Sequence, residues 1–147
     1  MNKEKFMLMA YKEAQKAESK GEVPIGAVVV LDGKIIARGY NKREKSQNAL
    51  KHAEMIAIDK VCKKLKSWRL EDCEIYVTLE PCLMCYGAIL NSRIKKLYFG
   101  AKDNKSEIDK TFLVSKNNSL NHNLEIESGI LEQKCSEILK KFFKNIR

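Results

Sequence analysis

Residues 74 to 100, EIYVTLEPCLMCYGAILNSRIKKLYFG, decide the architecture of this 147-residue chain. Glu74 to Leu79 reads as a short strand. Cys82 to Asn91 has helical character and begins just after Pro81, a residue tolerated at or before a helix start. Lys95 to Gly100 reads as a second strand. Strand, helix and strand in that order make a β-α-β unit, which puts the chemistry of Pro81, Cys82 and Cys85 at the strand-to-helix corner.

Upstream, Phe6, Met9, Ala10, Glu13, Ala14 and Ala17 recur at helical spacing, so residues 4 to 19 read as an amphipathic helix that stops before Gly21 and Pro24. Ile25 to Leu31 is a continuous apolar run and Lys34 to Tyr40 is rich in β-branched residues. The intervening Asp32-Gly33 is a hairpin signal, so the two runs read as antiparallel strands. Residues 41 to 49 are polar and read as a loop. From His52 to Leu65 the positions Ala53, Ile56, Ala57, Val61 and Leu65 keep helical spacing, which puts His52 and Glu54 in the opening turn.

Downstream, residues 101 to 123 read as a loop with a short helix around Phe112, Leu113 and Val114. Leu124 to Glu127 reads as a final strand. Ile130, Leu131, Cys135, Ile138, Leu139, Phe142 and Ile146 stripe a terminal helix whose other side carries lysines. An antiparallel hairpin combined with a β-α-β unit predicts an α/β protein: one mixed sheet of about five strands with helices on both faces, in three layers. The length suits a single domain over residues 1–147.

Lysine and arginine number 28 against 19 aspartate and glutamate, a formal charge of +9. Such an excess favours a polyanionic partner such as nucleic acid, although lysines that merely solubilise the protein give the same count. Five cysteines at 62, 73, 82, 85 and 135 do not form the dense framework of a small secreted protein, so a reducing cytoplasm is expected. The apolar run Phe6 to Ala10 is too short for a secretion signal, and no run reaches the length of a membrane span.

His52, Cys82 and Cys85 are three zinc ligands of the types that a catalytic site uses when its fourth position is left to water. The two cysteines are three positions apart on one helical turn, and the histidine comes from a neighbouring helix. Glu54, if it stays off the metal, is placed to move protons between water and a leaving group. A dithiol redox pair would need neither His52 nor Glu54. A structural zinc site would need a fourth ligand, for which Cys62, Cys73, Cys135 and His122 are the candidates. Cys62 and Cys135 lie on apolar helical stripes and are expected in the core.

His-x-Glu followed by Pro-Cys-x-x-Cys, present here as His52-Ala-Glu54 and Pro81-Cys-Leu-Met-Cys85, is the signature of zinc-dependent nucleobase deaminases. The chain resembles the bacterial tRNA-specific adenosine deaminases of the cytidine deaminase-like superfamily. The resemblance runs through Glu22-Val-Pro-Ile-Gly-Ala27, Gly39-Tyr-Asn41, His52-Ala-Glu54 and Thr78-Leu-Glu-Pro-Cys-Leu-Met-Cys85. It continues in Gly87-Ala88, Ser92-Arg93-Ile94, Phe99-Gly-Ala101, Asn121-His122 and Phe142-Phe143-Lys-Asn-Ile-Arg147.

That resemblance implies a cytidine deaminase-like fold with one zinc ion per subunit on His52, Cys82 and Cys85, and Glu54 as proton shuttle. It implies conversion of wobble adenosine to inosine in a tRNA anticodon loop, specifically the arginine tRNA with anticodon ACG. Asn41, Ala27 and Pro81 would shape the nucleoside pocket, although asparagine in a loop equally caps turns. Lys42, Arg43, Lys45, Lys51, Phe143, Lys144 and Arg147 are the candidate RNA contacts, with Phe142 assigned to the core. A homodimer pairing near the cysteine-bearing helix is also implied. The alternative is a deaminase of a free base, nucleoside or nucleotide such as guanine or deoxycytidylate, since such enzymes share much of the metal signature. The chain departs from the family pattern at Asn48-Ala49-Leu50-Lys51, where a proline-containing segment is usual, at Lys102 to Asp109, and at Asn91 and Asn123.

Overall fold

Strand alternation sorts the side chains of one sheet onto two opposite faces, and each face collects its own helices. The computed structural model describes residues 2–103 and 122–146. The expected short helix around Phe112 to Val114, together with Asn121 and Arg147, lies outside the described residues.

The chain opens with α1, Lys3–Ser19, and then makes the hairpin of β1, Gly26–Leu31, and β2, Lys34–Tyr40. Asp32 and Gly33 both have positive φ, 51° and 75°, the left-handed backbone that a two-residue hairpin turn requires. A four-residue helix α2, Arg43–Ser46, interrupts the segment expected to be loop throughout. There follow α3, Ala53–Leu65; β3, Cys73–Leu79; α4, Leu83–Asn91; β4, Lys96–Ala101; β5, Glu125–Ser128; and a terminal helix α5, Glu132–Asn145.

The sheet is mixed, in the order β2-β1-β3-β4-β5. β1 is antiparallel to both β2 and β3, whereas β3, β4 and β5 run parallel to one another. On one face Ala27, Val29, Ile75, Val77, Leu97 and Phe99 pack with Ala53, Ala57 and Val61 of α3 and with Tyr86 and Ile89 of α4. On the other, Val28, Val30, Tyr76 and Tyr98 pack with Phe6, Met7 and Ala10 of α1 and Cys135 of α5. The odd positions of β1 thus look one way and the even ones the other, giving the expected three-layer α/β/α arrangement.

The registered pair Tyr76 and Tyr98 stacks at 4.2 Å with nearly parallel rings. In register with Tyr98 on the edge strand β5, Glu127 takes ion pairs from Lys3 at 3.0 Å and Lys96 at 3.3 Å, tying α1 to the sheet.

Cys73 and Cys135 are buried and Cys62 is half-buried against the α3/α4 core, as expected of packing cysteines. The end of α5 differs from the expected stripe. Phe143 packs with Ala14, Ile138, Leu139, Val23 and Leu79, whereas Phe142 is half-buried outside that cluster and meets the edge of Phe143, at 5.4 Å between ring centres. A helix advances 100° per residue, so after Leu139 it is Phe143, one turn on, that stays over α1. Ile146 follows the helix and is 64% exposed.

Candidate metal centre and active site

Two helices begin at one place. His52, with extended φ −82° and ψ 155°, stands immediately before α3, and Cys82, with φ −72° and ψ 172°, stands immediately before α4. Both therefore lie one residue earlier than the opening-turn positions expected from the sequence. Each carbonyl accepts the first helical hydrogen bond, from the Ile56 amide at 3.0 Å and the Tyr86 amide at 2.9 Å. The side chains are left at the positive ends of two helix dipoles, which favours thiolate.

His52 Nδ1 lies 3.7 Å from Cys82 Sγ and 3.5 Å from Cys85 Sγ. All three donor atoms fall within 4.8 Å of one another, close enough that one metal ion could be held by the three. Among the described residues no fourth histidine, cysteine or carboxylate joins the group. Of the alternative ligands, Cys62, Cys73 and Cys135 pack in the core, and His122 hydrogen-bonds the Ile94 carbonyl at 2.7 Å.

The electrostatics of the cluster follow from proton sharing. The Cys85 thiol and amide and the His52 ring all hydrogen-bond Cys82, which pulls the Cys82 thiol down to about 3. Its thiolate in turn raises His52. Cys85, the partner that keeps its proton, is pushed far up by the bond to Cys82, by burial and by Glu54. A metal ion taken up here therefore releases protons.

Glu54 is only 3% exposed, and desolvation raises its carboxyl to about 7, with the Cys82 charge acting in the same sense. A carboxyl with that pKa both accepts and donates a proton near neutrality.

Asn41 links β2 to this centre. It is buried, and its Oδ1 accepts the Ala53 amide at 2.9 Å, so it caps the helix that follows His52. Ala27 is fully buried on the α3/α4 face, between Gly39 of β2 and Val77 of β3. Pro81 is buried directly before Cys82. Of the expected RNA contacts, Lys42 and Lys51 are half-buried, and Arg43, Lys45 and Lys144 are exposed. Phe143 and Lys144 line a cavity of 510 Å3 with Val23, Leu79, Lys102 and Lys140. Leu79 ends the strand that leads to Cys82, so the cavity and the metal centre share one end of the sheet.

Three buried polar residues that the sequence marked only as members of the family motifs, with no role assigned, hold this end together. Thr78 Oγ1 accepts the Gly26 amide at 3.1 Å, Glu80 Oε1 accepts the Asp103 amide at 3.1 Å, and Glu22 accepts the amides of Glu44 and Lys45. These hydrogen bonds run to backbone amides, which leave no trace in side-chain periodicity.

The chain matches the MafB19-like deaminase family over residues 1–147. It is 50% identical to the tRNA-specific adenosine deaminase of Bacillus subtilis, over 98% of this chain and 90% of that one. A structure from studies of A-to-I editing by tRNA deaminases at the wobble position of transfer RNA is 40% identical, with a TM-score of 0.84 over 91% of this chain and 98% of that chain. Guanine deaminase of Bacillus subtilis is 32% identical, with a TM-score of 0.68 over 99% and 95%. With the whole length matched and the His-x-Glu and Pro-Cys-x-x-Cys elements brought to one point, this chain belongs to the MafB19-like deaminase family, in its bacterial tRNA-specific adenosine deaminase branch.

Proposed function

We propose that this protein is a single-domain, zinc-dependent hydrolase that converts the wobble adenosine of a cytoplasmic tRNA anticodon loop to inosine, with the arginine tRNA of anticodon ACG as substrate. The observation that carries the reading is a buried, unliganded Glu54 beside three converging donors, in a chain half identical to a tRNA-specific adenosine deaminase. One imidazole and two thiols suit zinc, whose usual four-coordination leaves one position for water. Zinc held by His52, Cys82 and Cys85 would supply Lewis acidity that brings the pKa of water towards neutrality.

The chain's own residues do the rest. Glu54 takes a proton from the attacking water and gives it to the purine ring nitrogen. It then carries the second proton to the exocyclic amine, which leaves as ammonia; adenosine and water become inosine and ammonia. Asn41 spends its Oδ1 on the Ala53 amide, and its Nδ2 donor serves an acceptor on the nucleoside. Ala27 and Pro81 are small and rigid neighbours that shape the pocket. The adenosine enters extruded from the loop, while Lys42, Arg43 and Lys51 meet phosphates. A flanking base uses the cavity beside Phe143 and Lys144. Two copies pair near α4 in a homodimer.

The test is incubation of zinc-loaded protein with unmodified arginine tRNA, followed by nucleoside analysis, with guanine, cytidine and adenosine in parallel. Inosine in the RNA is expected. Turnover of guanine or another small molecule without RNA editing would move the protein to the free-base deaminases, the direction in which its 32% identity to guanine deaminase points. Glu54→Ala should keep its metal and lose about 10²- to 10⁴-fold in rate, the usual worth of a general acid-base group.

A further inference from the structure

The segment that joins Asn41 to His52 has no hydrophobic anchor, because residues 43 to 50 are exposed throughout. Most of its hydrogen bonds are internal. The Lys42 amide bonds the Lys51 carbonyl at 3.0 Å, the Ser46 amide the Lys42 carbonyl at 2.9 Å, and the Asn48 amide the Arg43 carbonyl at 3.1 Å. Among the described residues one side chain reaches the body of the segment from elsewhere. Glu22, in the turn between α1 and β1, accepts the Glu44 amide at 3.1 Å on one oxygen and the Lys45 amide at 2.8 Å on the other.

Glu22 is 3% exposed, and no lysine or arginine forms an ion pair with it among the described residues. Burying a carboxylate is costly unless hydrogen bonds compensate it, and charge-assisted bonds to amides are among the stronger ones. The compensation here comes from the α2 turn itself. Lys42, which enters the segment, rests on the Tyr40 ring at 4.9 Å, so the cationic side chains begin at the tether.

We infer that Glu22 is a positioning residue for RNA: by clamping two amides it holds the segment between Asn41 and His52 in the one shape that presents Lys42, Arg43, Lys45 and Lys51 to the anticodon loop. This rests on the tRNA reading for the identity of the ligand, but the clamp itself does not. Metal binding is left to His52, Cys82 and Cys85, and proton transfer to Glu54, so the residue governs affinity and not the chemical step.

The experiment compares zinc-loaded wild type, Glu22→Gln and Glu22→Ala. Hydrogen exchange resolved at the Glu44 and Lys45 amides should accelerate roughly tenfold or more in Glu22→Ala, the worth of losing a charge-assisted hydrogen bond. Amides of β1 and α3 should be unchanged. Glu22→Gln keeps the volume and one acceptor oxygen but turns an NH2 group towards the second amide, so it should fall between the two. In tRNA deamination the KM should rise about tenfold with kcat altered less than about threefold, the pattern of lost uniform binding. Zinc content should stay at wild-type level. Unchanged exchange at the two amides overturns the clamp. A fall in kcat at constant KM, or loss of zinc, overturns the assignment to RNA positioning. Failure of wild type to edit any tRNA would sink the substrate reading alone, because the exchange measurement still decides the clamp.

Discussion

At the scale of single residues, Glu54 shows how burial opposes charge. Its carboxyl is raised by desolvation to about 7 from an ordinary value of 4.5, so the folded state prefers it protonated. A group raised in this way contributes stability that is fully present below its unfolded value and is lost as the pH rises through the folded value. The window here runs from about 4.5 to about 7. In metal-free protein, Glu54→Gln should therefore melt at a higher denaturant concentration than wild type at pH 8, by on the order of 1–3 kcal/mol. The advantage should shrink towards zero at pH 4.5. Urea titrations at the two values read it directly, and an equal difference at both would reject burial as the cause. The three converging donors and this acid were legible as candidates in the sequence because His-x-Glu and Cys-x-x-Cys are short-range patterns whose donor chemistry is set by residue type. Glu22 and Glu80 stood there only as members of family motifs, with nothing to mark them as buried. A buried acid whose partners are backbone amides about twenty residues away has the same appearance in sequence as a solvated one.

At the scale of elements, the centre depends on how closely α3 lies on the sheet. Gly39 of β2 touches the first turn of α3: a Cβ there would strike the Ala53 carbonyl oxygen and stand 3.0 Å from the Ala57 amide nitrogen. Both are backbone atoms and cannot rotate away. Gly39→Ala should thus push α3 off the sheet at a cost of ~1–3 kcal/mol, as overpacking does. The displaced turn bears Glu54 and is preceded by His52, so the variant should also surrender its metal to a weaker chelator than wild type does. Competition with a graded chelator series checks this, and unchanged metal retention would show that α3 does not transmit the strain. The sequence marked Gly39 only as part of a family motif, since contact between a strand and a helix backbone has no periodicity. The helices and β1 to β4 were legible because each buries a face wide enough to repeat. The four-residue β5, with only its central Ile126 and Glu127 half-buried, carries no signal of its parallel pairing. The α2 turn was invisible because none of its residues is buried.

At the scale of the molecule, each of the two chain segments that meet at the candidate metal centre carries an exposed leucine. Leu50, two residues before His52, is 56% exposed, and Leu83, one after Cys82, is 52% exposed. Behind Leu83, Tyr86, Ile89 and Leu90 of α4 are buried against the chain's own core, so the exposed leucine is left over after folding is satisfied. Contiguous apolar surface is characteristic of association sites, and Leu83 is the exposed apolar position from which such a surface would extend on α4. A second copy of this chain also carries +9, so the contact must be apolar enough to outweigh like-charge repulsion, and salt should strengthen it. Leu83→Glu tests the proposed homodimer without harming the fold, because an acidic residue in the first turn of a helix complements its dipole by about 0.3–1 kcal/mol. Wild type should sediment as two chains and the variant as one, with melting of the variant monomer no lower than that of wild type diluted below its dissociation constant. Sedimentation of wild type as a single chain at high salt would remove the dimer. A variant that stays dimeric would move the interface away from the start of α4.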